Sequence, residues 1–221
     1  MGISFYNINM YEIELKAHVP NRKVVIEKIN SFATFLGTTI KDDTYFHFQY
    51  NDSDKHLTCR IRHEVYTFPD SKTKIQDVLT YKTKKKKTDE NGSAYEVNEE
   101  NESELSDEKA VEFLLRDSGF KISSTKEKYV SAWIYDTKYG QALLELCRIP
   151  PLGNFLEIEI LCEPKKQNNS ETAGIQNELL NILEKSGISK EQIENRFYSD
   201  LLKEIQCKQQ TANPKGNTEC S

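Results

Sequence analysis

Apolar and polar residues alternate along most of this chain with a period of two, which sends successive side chains of an extended strand to opposite faces. The run from Tyr11 to Val19 alternates strictly: Glu12, Glu14, Lys16 and His18 share one face, and Ile13, Leu15 and Ala17 the other. Leu57 to Arg62 places Arg60 and Arg62 together, and Val78 to Lys82 continues the habit through Lys84 and Lys86. Glu100, Glu102 and Glu104 share a face, as do Lys126 and Lys128, while Glu157 and Glu159 lie opposite Leu156, Ile158 and Ile160. Asp136 to Gly140 reads as a turn joining two strands.

A helical period interrupts this pattern in four places. Pro20-Asn21 predicts the start of a helix running through Val25, Ile29, Phe32 and Leu36 to a terminal Gly37. A second helix is expected from Ser106 to Gly119 with Ala110, Val111, Leu114 and Leu115 inward, and a third from Ser170, burying Ile175, Leu179 and Leu183 before Gly187. A short fourth carries Phe197, Leu201 and Leu202. Roughly eight strands with three or four helices predict an α+β protein with a mostly antiparallel sheet.

Composition narrows the function classes. At 221 residues the chain can bury a real core, and 37% hydrophobic against 29% charged residues describes a polar globular protein. No apolar run reaches membrane-spanning length, and no basic segment precedes an apolar one at the N-terminus, so neither a transmembrane helix nor a signal peptide is expected. Five cysteines, odd in number and never spaced Cys-x-x-Cys, argue against a disulfide framework or a structural zinc site; a reducing cytoplasm is the expected location. The four histidines show no zinc spacing, and neither a Walker nor a Rossmann pattern occurs. A net charge of −5 argues against nucleic acid as a partner.

The charges are sorted, however. Residues 82–87 carry five lysines, and Asp89 to Glu108 holds nine acids and no base. Residues 85–98 read as a solvated charged loop with a turn at Asn91-Gly92-Ser93, and residues 208–221 as a disordered tail. A sheet facing water on one side accounts for any single charged strand face. Six such strands, some purely acidic and some purely basic, suit a sheet rolled into a barrel with its charges inward, where they would need a charged ligand. Grouped lysines and arginines answer phosphate oxygens, and paired carboxylates are hard oxygen ligands for Mg²⁺ or Mn²⁺. The chemistry this points to is metal-assisted phosphoryl or nucleotidyl transfer.

An ordered series of short motifs resembles the CYTH superfamily, which unites class IV adenylyl cyclases with thiamine triphosphatases and inorganic triphosphatases. Glu12-x-Glu14-x-Lys16 heads it; Asp43-Thr44-Tyr45-Phe46, Leu57 to Arg62, Thr80-Tyr81-Lys82, Lys126-x-Lys128 and Leu152-Gly-Asn-Phe-Leu-Glu-Ile-Glu159 follow. Tyr198-Ser-Asp-Leu-Leu202 closes it, in the manner of the cyclase branch. The resemblance spans about residues 10–203 and implies one domain over residues 10–207, with residues 1–9 as an upstream extension before Met10. The implied fold is an eight-stranded antiparallel β-barrel, a tunnel that binds a triphosphate, with flanking helices. Carried over residue by residue, Glu12, Glu14, Glu157 and Glu159 would be ligands for two Mg²⁺ or Mn²⁺ ions. Lys16, Arg60, Arg62, Lys82, Lys126 and Lys128 would hold the triphosphate, and Tyr45 would orient a phosphate, a metal-bound water or the base. Glu12, Glu14, Lys16 and Tyr45 would carry the catalysis.

Two departures bear on turnover. Cys147 stands where the family pattern has an acid, with Glu145 two residues earlier as the nearest substitute, and Lys128 stands in place of an arginine. The resemblance implies first an adenylyl cyclase making cyclic AMP and pyrophosphate from ATP. The alternatives are a hydrolase of tripolyphosphate or thiamine triphosphate, and a nucleotide- or polyphosphate-binding module with little turnover. A homodimer is also implied, with no membrane partner.

Overall fold

The computed structural model describes residues 11–49, 56–88, 94–162 and 169–212. Eight strands run in chain order: β1 (Tyr11–His18), β2 (Thr34–Gln49), β3 (His56–Thr67), β4 (Thr73–Thr88), β5 (Ala94–Leu105), β6 (Lys121–Thr137), β7 (Gly140–Ile149) and β8 (Gly153–Cys162). Helices α1 (Arg22–Asn30), α2 (Glu108–Asp117), α3 (Asn169–Lys185) and α4 (Tyr198–Ala212) lie between or after them. The strands form one antiparallel sheet in the order β1-β8-β7-β6-β2-β3-β4-β5. Its edges, β1 and β5, approach one another without pairing, so the sheet curls into an open barrel of the expected α+β class.

The apolar half of the alternation faces outward, under helices. Ala17, Ala142, Leu144, Leu146, Leu156, Ile158 and Ile160 are all fully buried against Val25 and Ile29 of α1 and Ile175, Leu179 and Leu183 of α3. Burying aliphatic side chains of this size stabilises by about 1.5–3 kcal/mol each. Asn21 caps α1 by accepting from the Val24 amide, and Trp133 joins this core with its Nε1 donating to Asn30 Oδ1 at 2.7 Å. A second outer cluster of Phe46, Cys59 and Ile61 lies under Val111 and Leu115 of α2, so Cys59 points away from the barrel interior as the alternation requires. A third cluster is on the inner face: Val130, Ala132, Cys147, Ile149 and Phe155 take Leu201 and Tyr198 of α4, which thereby closes one end of the barrel.

Four expectations are corrected. The first helix ends at Asn30, and Leu36 and Gly37 belong to β2. Gly37 has φ +140° at a break in the β2–β6 register, and a Cβ there would lie 2.3 Å from the Thr67 carbonyl oxygen. Glycine therefore marks a strand bulge rather than a helix end. In α2, Asp107 caps the helix through the Ala110 amide, and only the Val111–Leu115 stripe meets the sheet; Ala110 and Leu114 face outward. Strands β4 and β5 pair along both flanks of the stretch read as a charged loop, as far as Thr88 opposite Ala94; residues 89–93, with the expected turn, lie outside the described residues. Finally, α4 is a 15-residue helix whose last residues, 208–212, fall in the predicted tail. Residues 1–10 and 213–221 lie outside the described residues. Among the described residues no helix is long and apolar enough to cross a membrane.

Candidate functional site

The register of the sheet puts the charged positions of successive strands beside one another on its inner face. Lys16 is opposite Glu157 and Glu14 opposite Glu159 across β1–β8; Glu145 is opposite Glu157 across β7–β8. Asp43 is opposite both Lys126 and Arg62, and Lys41 opposite Lys128. Tyr45 pairs with Arg60, Arg60 with Thr80, and Thr80 with Glu102. Glu12 and Lys82 take the corresponding backbone positions on β1 and β4; their side chains lie outside the described residues.

One cluster on this face is organised by Asp43. Arg62 grips it with a fork, Nε to Oδ1 at 2.5 Å and Nη2 to Oδ2 at 3.1 Å. Lys126 Nζ is 3.0 Å from Oδ2 and Arg60 Nε 3.9 Å from Oδ1. Tyr45 donates its hydroxyl to Asp43 Oδ2 at 3.2 Å and accepts from Lys126 at 3.1 Å. Burial alone would raise the Asp43 pKa; the hydrogen bonds and charge of Arg62, with the charges of Lys126 and Arg60, outweigh it and hold the carboxyl well below the ordinary range. Arg60 Nη2 donates to Thr80 Oγ1 at 2.8 Å and reaches Glu102 at 3.4 Å, yet its Nε is buried without an acceptor.

A second cluster, two residues along β2 and β6, is organised by Lys128. Its ammonium donates to Glu145 Oε2 at 2.9 Å and makes a still shorter bond to Glu157. Lys41 holds the second Glu145 oxygen at 2.7 Å. Burial opposes ionisation in all three of Lys128, Glu145 and Glu157; their mutual attraction prevails, keeping Lys128 well above and both carboxylates below their usual values. Cys147 Sγ donates to the Glu145 carbonyl at 3.3 Å and lies 3.7 Å from Glu157, and burial together with the Glu157 charge pushes the thiol up, so it is neutral. Glu145, Cys147 and Glu157 bring their ligand-type atoms within 4.8 Å of one another. Lys16 donates to the Arg196 carbonyl at 2.5 Å and sits 4.3 Å from the centre of the Tyr198 ring. Burial lowers the Lys16 pKa despite Glu14, Glu157 and Glu194. The Tyr198 hydroxyl is buried beside Glu157, and burial with the Glu157 charge raises its pKa strongly.

Lys16, Tyr45, Arg60, Arg62, Lys126, Lys128, Glu14, Glu157 and Glu159 therefore share one interior face. Asp43, Lys41 and Tyr198 were not among the nominated site residues. The alternation Lys41-x-Asp43-x-Tyr45 was the available signal for the first two, since it puts all three on the face of the nominated Tyr45. For Tyr198 the only signal was the closing motif itself.

The profile of the CYTH domain family matches residues 10–198. No curated protein matches the chain. Among solved structures, the PH1819 protein of Pyrococcus horikoshii OT3 is similar over 88% of this chain and 99% of its own, at 26% identity and a TM-score of 0.64. A candidate adenylate cyclase from Vibrio parahaemolyticus has a TM-score of 0.61 at 14% identity, covering 88% of this chain and 99% of its own. HpAC1 from Hippeastrum, a candidate adenylyl cyclase with a dominant triphosphatase activity, has a TM-score of 0.54 at 17% identity, covering 89% and 96%. At those identities the last two show a shared fold.

Proposed function

The chain belongs to the CYTH domain family, and from that premise we propose that its barrel is a metal-dependent active site for a triphosphate, converting ATP to cyclic AMP and pyrophosphate. The observation that carries this reading is the gathering of Arg60, Arg62 and Lys126 on one fully buried carboxylate, Asp43, with Arg60 keeping an unmet buried donor. Phosphate oxygens would supply the missing acceptors, gripped by the arginine forks and by Lys126 and Lys16 as point charges. Lys82 on β4 is a further proposed contact, whereas Lys128 is taken up by Glu145 and Glu157. Tyr45, fixed between Asp43 and Lys126, would orient a phosphate.

The acidic residues of β1 and β8 fit a hard divalent cation, because Glu14 and Glu159 are direct register partners on the inner face. Glu12 belongs to the same proposed set, with Mg²⁺ or Mn²⁺ as the ion; Glu157, nominated with them, is held by Lys128 instead. Such an ion, when bound, lowers the pKa of an attacking hydroxyl or water and neutralises charge on the departing phosphates. A second reading, hydrolysis of tripolyphosphate or thiamine triphosphate, is favoured by the closed end of the barrel. There Glu194 N donates to Lys16 O at 2.8 Å, Lys16 bonds the Arg196 carbonyl, and α4 inserts Leu201, which suits a compact substrate.

Incubating the protein with ATP, tripolyphosphate and thiamine triphosphate, each with Mg²⁺ or Mn²⁺, separates the readings. Cyclic AMP with pyrophosphate is expected; orthophosphate from the small triphosphates would favour the second reading, and binding without turnover a binding module. Full activity in the double variant Glu12→Gln, Glu159→Gln would overturn the metal assignment.

A further inference from the structure

We propose that Lys128 is a built-in cation: its ammonium takes, between Glu145 and Glu157, the place a divalent ion would otherwise occupy, leaving the tunnel one exchangeable metal on the Glu14–Glu159 side. This rests on the reading of the barrel as metal-dependent and deepens it.

Glu145 and Glu157 are direct partners on neighbouring strands, a juxtaposition of like charges that is unfavourable unless a cation bridges it. Lys128 bridges it, donating to one oxygen of each carboxylate, as a metal ion would. A compact ammonium with three donors suits that bridge; a planar guanidinium fork would grip one carboxylate at a time.

Charge closes the argument. Glu145 and Glu157 bring two negative charges, Lys128 and Lys41 bring two positive ones, and the quartet is neutral. Cys147, although it completes a ligand-like trio with the two glutamates, offers a thiol rather than a third carboxylate. A divalent ion entering here would bring uncompensated charge into a buried, already balanced set. It would also have to displace Lys128, whose side chain is only 7% exposed and has little water to turn to. Glu14 and Glu159 lie outside this quartet, two residues along β8 from Glu157.

Titrating Mn²⁺ alone into the full-length protein, with free Mn²⁺ followed by electron paramagnetic resonance, tests this. The wild type should saturate at about one Mn²⁺ per chain, as expected for one carboxylate-rich site. Lys128→Gln, which removes the internal cation, should raise the stoichiometry by about one. Two ions in the wild type, or no gain in the variant, would overturn the inference. Should Lys128→Gln fail to fold, Lys128→Met, which keeps the bulk without the charge, carries the same test. No Mn²⁺ in the wild type but one in a variant would sink the metal reading of Glu14 and Glu159 while leaving the role of Lys128 standing.

Discussion

Two neighbouring charge clusters on the inner face are built from the same materials at similar burial but are wired differently: Asp43 and Lys126 lie two residues along β2 and β6 from Lys41 and Lys128. In the first, a carboxylate with no exposed side-chain surface, Asp43, gathers Arg60, Arg62 and Lys126, each at most 14% exposed. Glu64 and the half-exposed Glu102 pair with the outer nitrogens of the two arginines. In the second, Glu145 and Glu157 share Lys128, and Lys41 holds Glu145. The contrast lies in the donors: Arg60 keeps a buried Nε without an acceptor, whereas the Lys128 ammonium is already shared between two carboxylates. The Asp43 cluster therefore retains a donor for an anion.

The largest test of this contrast removes Asp43. Asp43→Asn strands three buried cations, and a loss of about 3–5 kcal/mol in urea unfolding is expected. A loss below about 1 kcal/mol would mean that the cations find other partners and that the two clusters differ less than described. Next, Glu14→Gln with Glu159→Gln should lower Mg²⁺-dependent turnover by at least about 100-fold, more than loss of a residue that merely supports a metal ligand. Undiminished turnover would place the metal elsewhere.

Arg60→Ala should weaken tripolyphosphate binding by roughly 10- to 100-fold, the worth of a charge-assisted hydrogen bond, without changing Mn²⁺ stoichiometry, as calorimetry and resonance can show. Acid unfolding sharpens the comparison further. The Asp43 pKa is depressed in the folded state, so its contribution is complete above the ordinary aspartate range near about 4 and declines as the pH falls below it. The advantage of wild type over Asp43→Asn should therefore shrink by about 1.4 kcal/mol per pH unit below that point, and a gap constant to about pH 2 would contradict the assignment. The smallest effect belongs to Glu102→Gln, a change at the solvent-facing side of the same cluster, expected to cost less than about 1 kcal/mol.

Much of the fold was legible because side-chain parity is local. Glu14, Lys16, Arg60, Arg62, Lys126, Glu157 and Glu159 could be assigned to one face from alternation alone, and Cys59 to the other. What failed to read were features with non-local causes. Gly37 carries the same letter as a helix stop, but its conformation is demanded by the Thr67 carbonyl on the next strand. Residues 85–88 and 94–98 look like parts of a solvated loop until β4 and β5 are set side by side. Lys128 reads as one more phosphate contact; only with β7 and β8 beside it does it become the bridge between Glu145 and Glu157.

By itself, then, the sequence determined that charged and apolar residues would part to opposite faces of an antiparallel sheet, because backbone geometry alternates side chains whatever the neighbours. It also carried the ordered motifs of the CYTH family. Only the tertiary structure decided which charges meet. The strand order β1-β8-β7-β6-β2-β3-β4-β5 and its register bring Asp43 among three cations and Lys128 between two acids, and pairing between strands distant in sequence is set by packing of the whole sheet rather than by any local pattern.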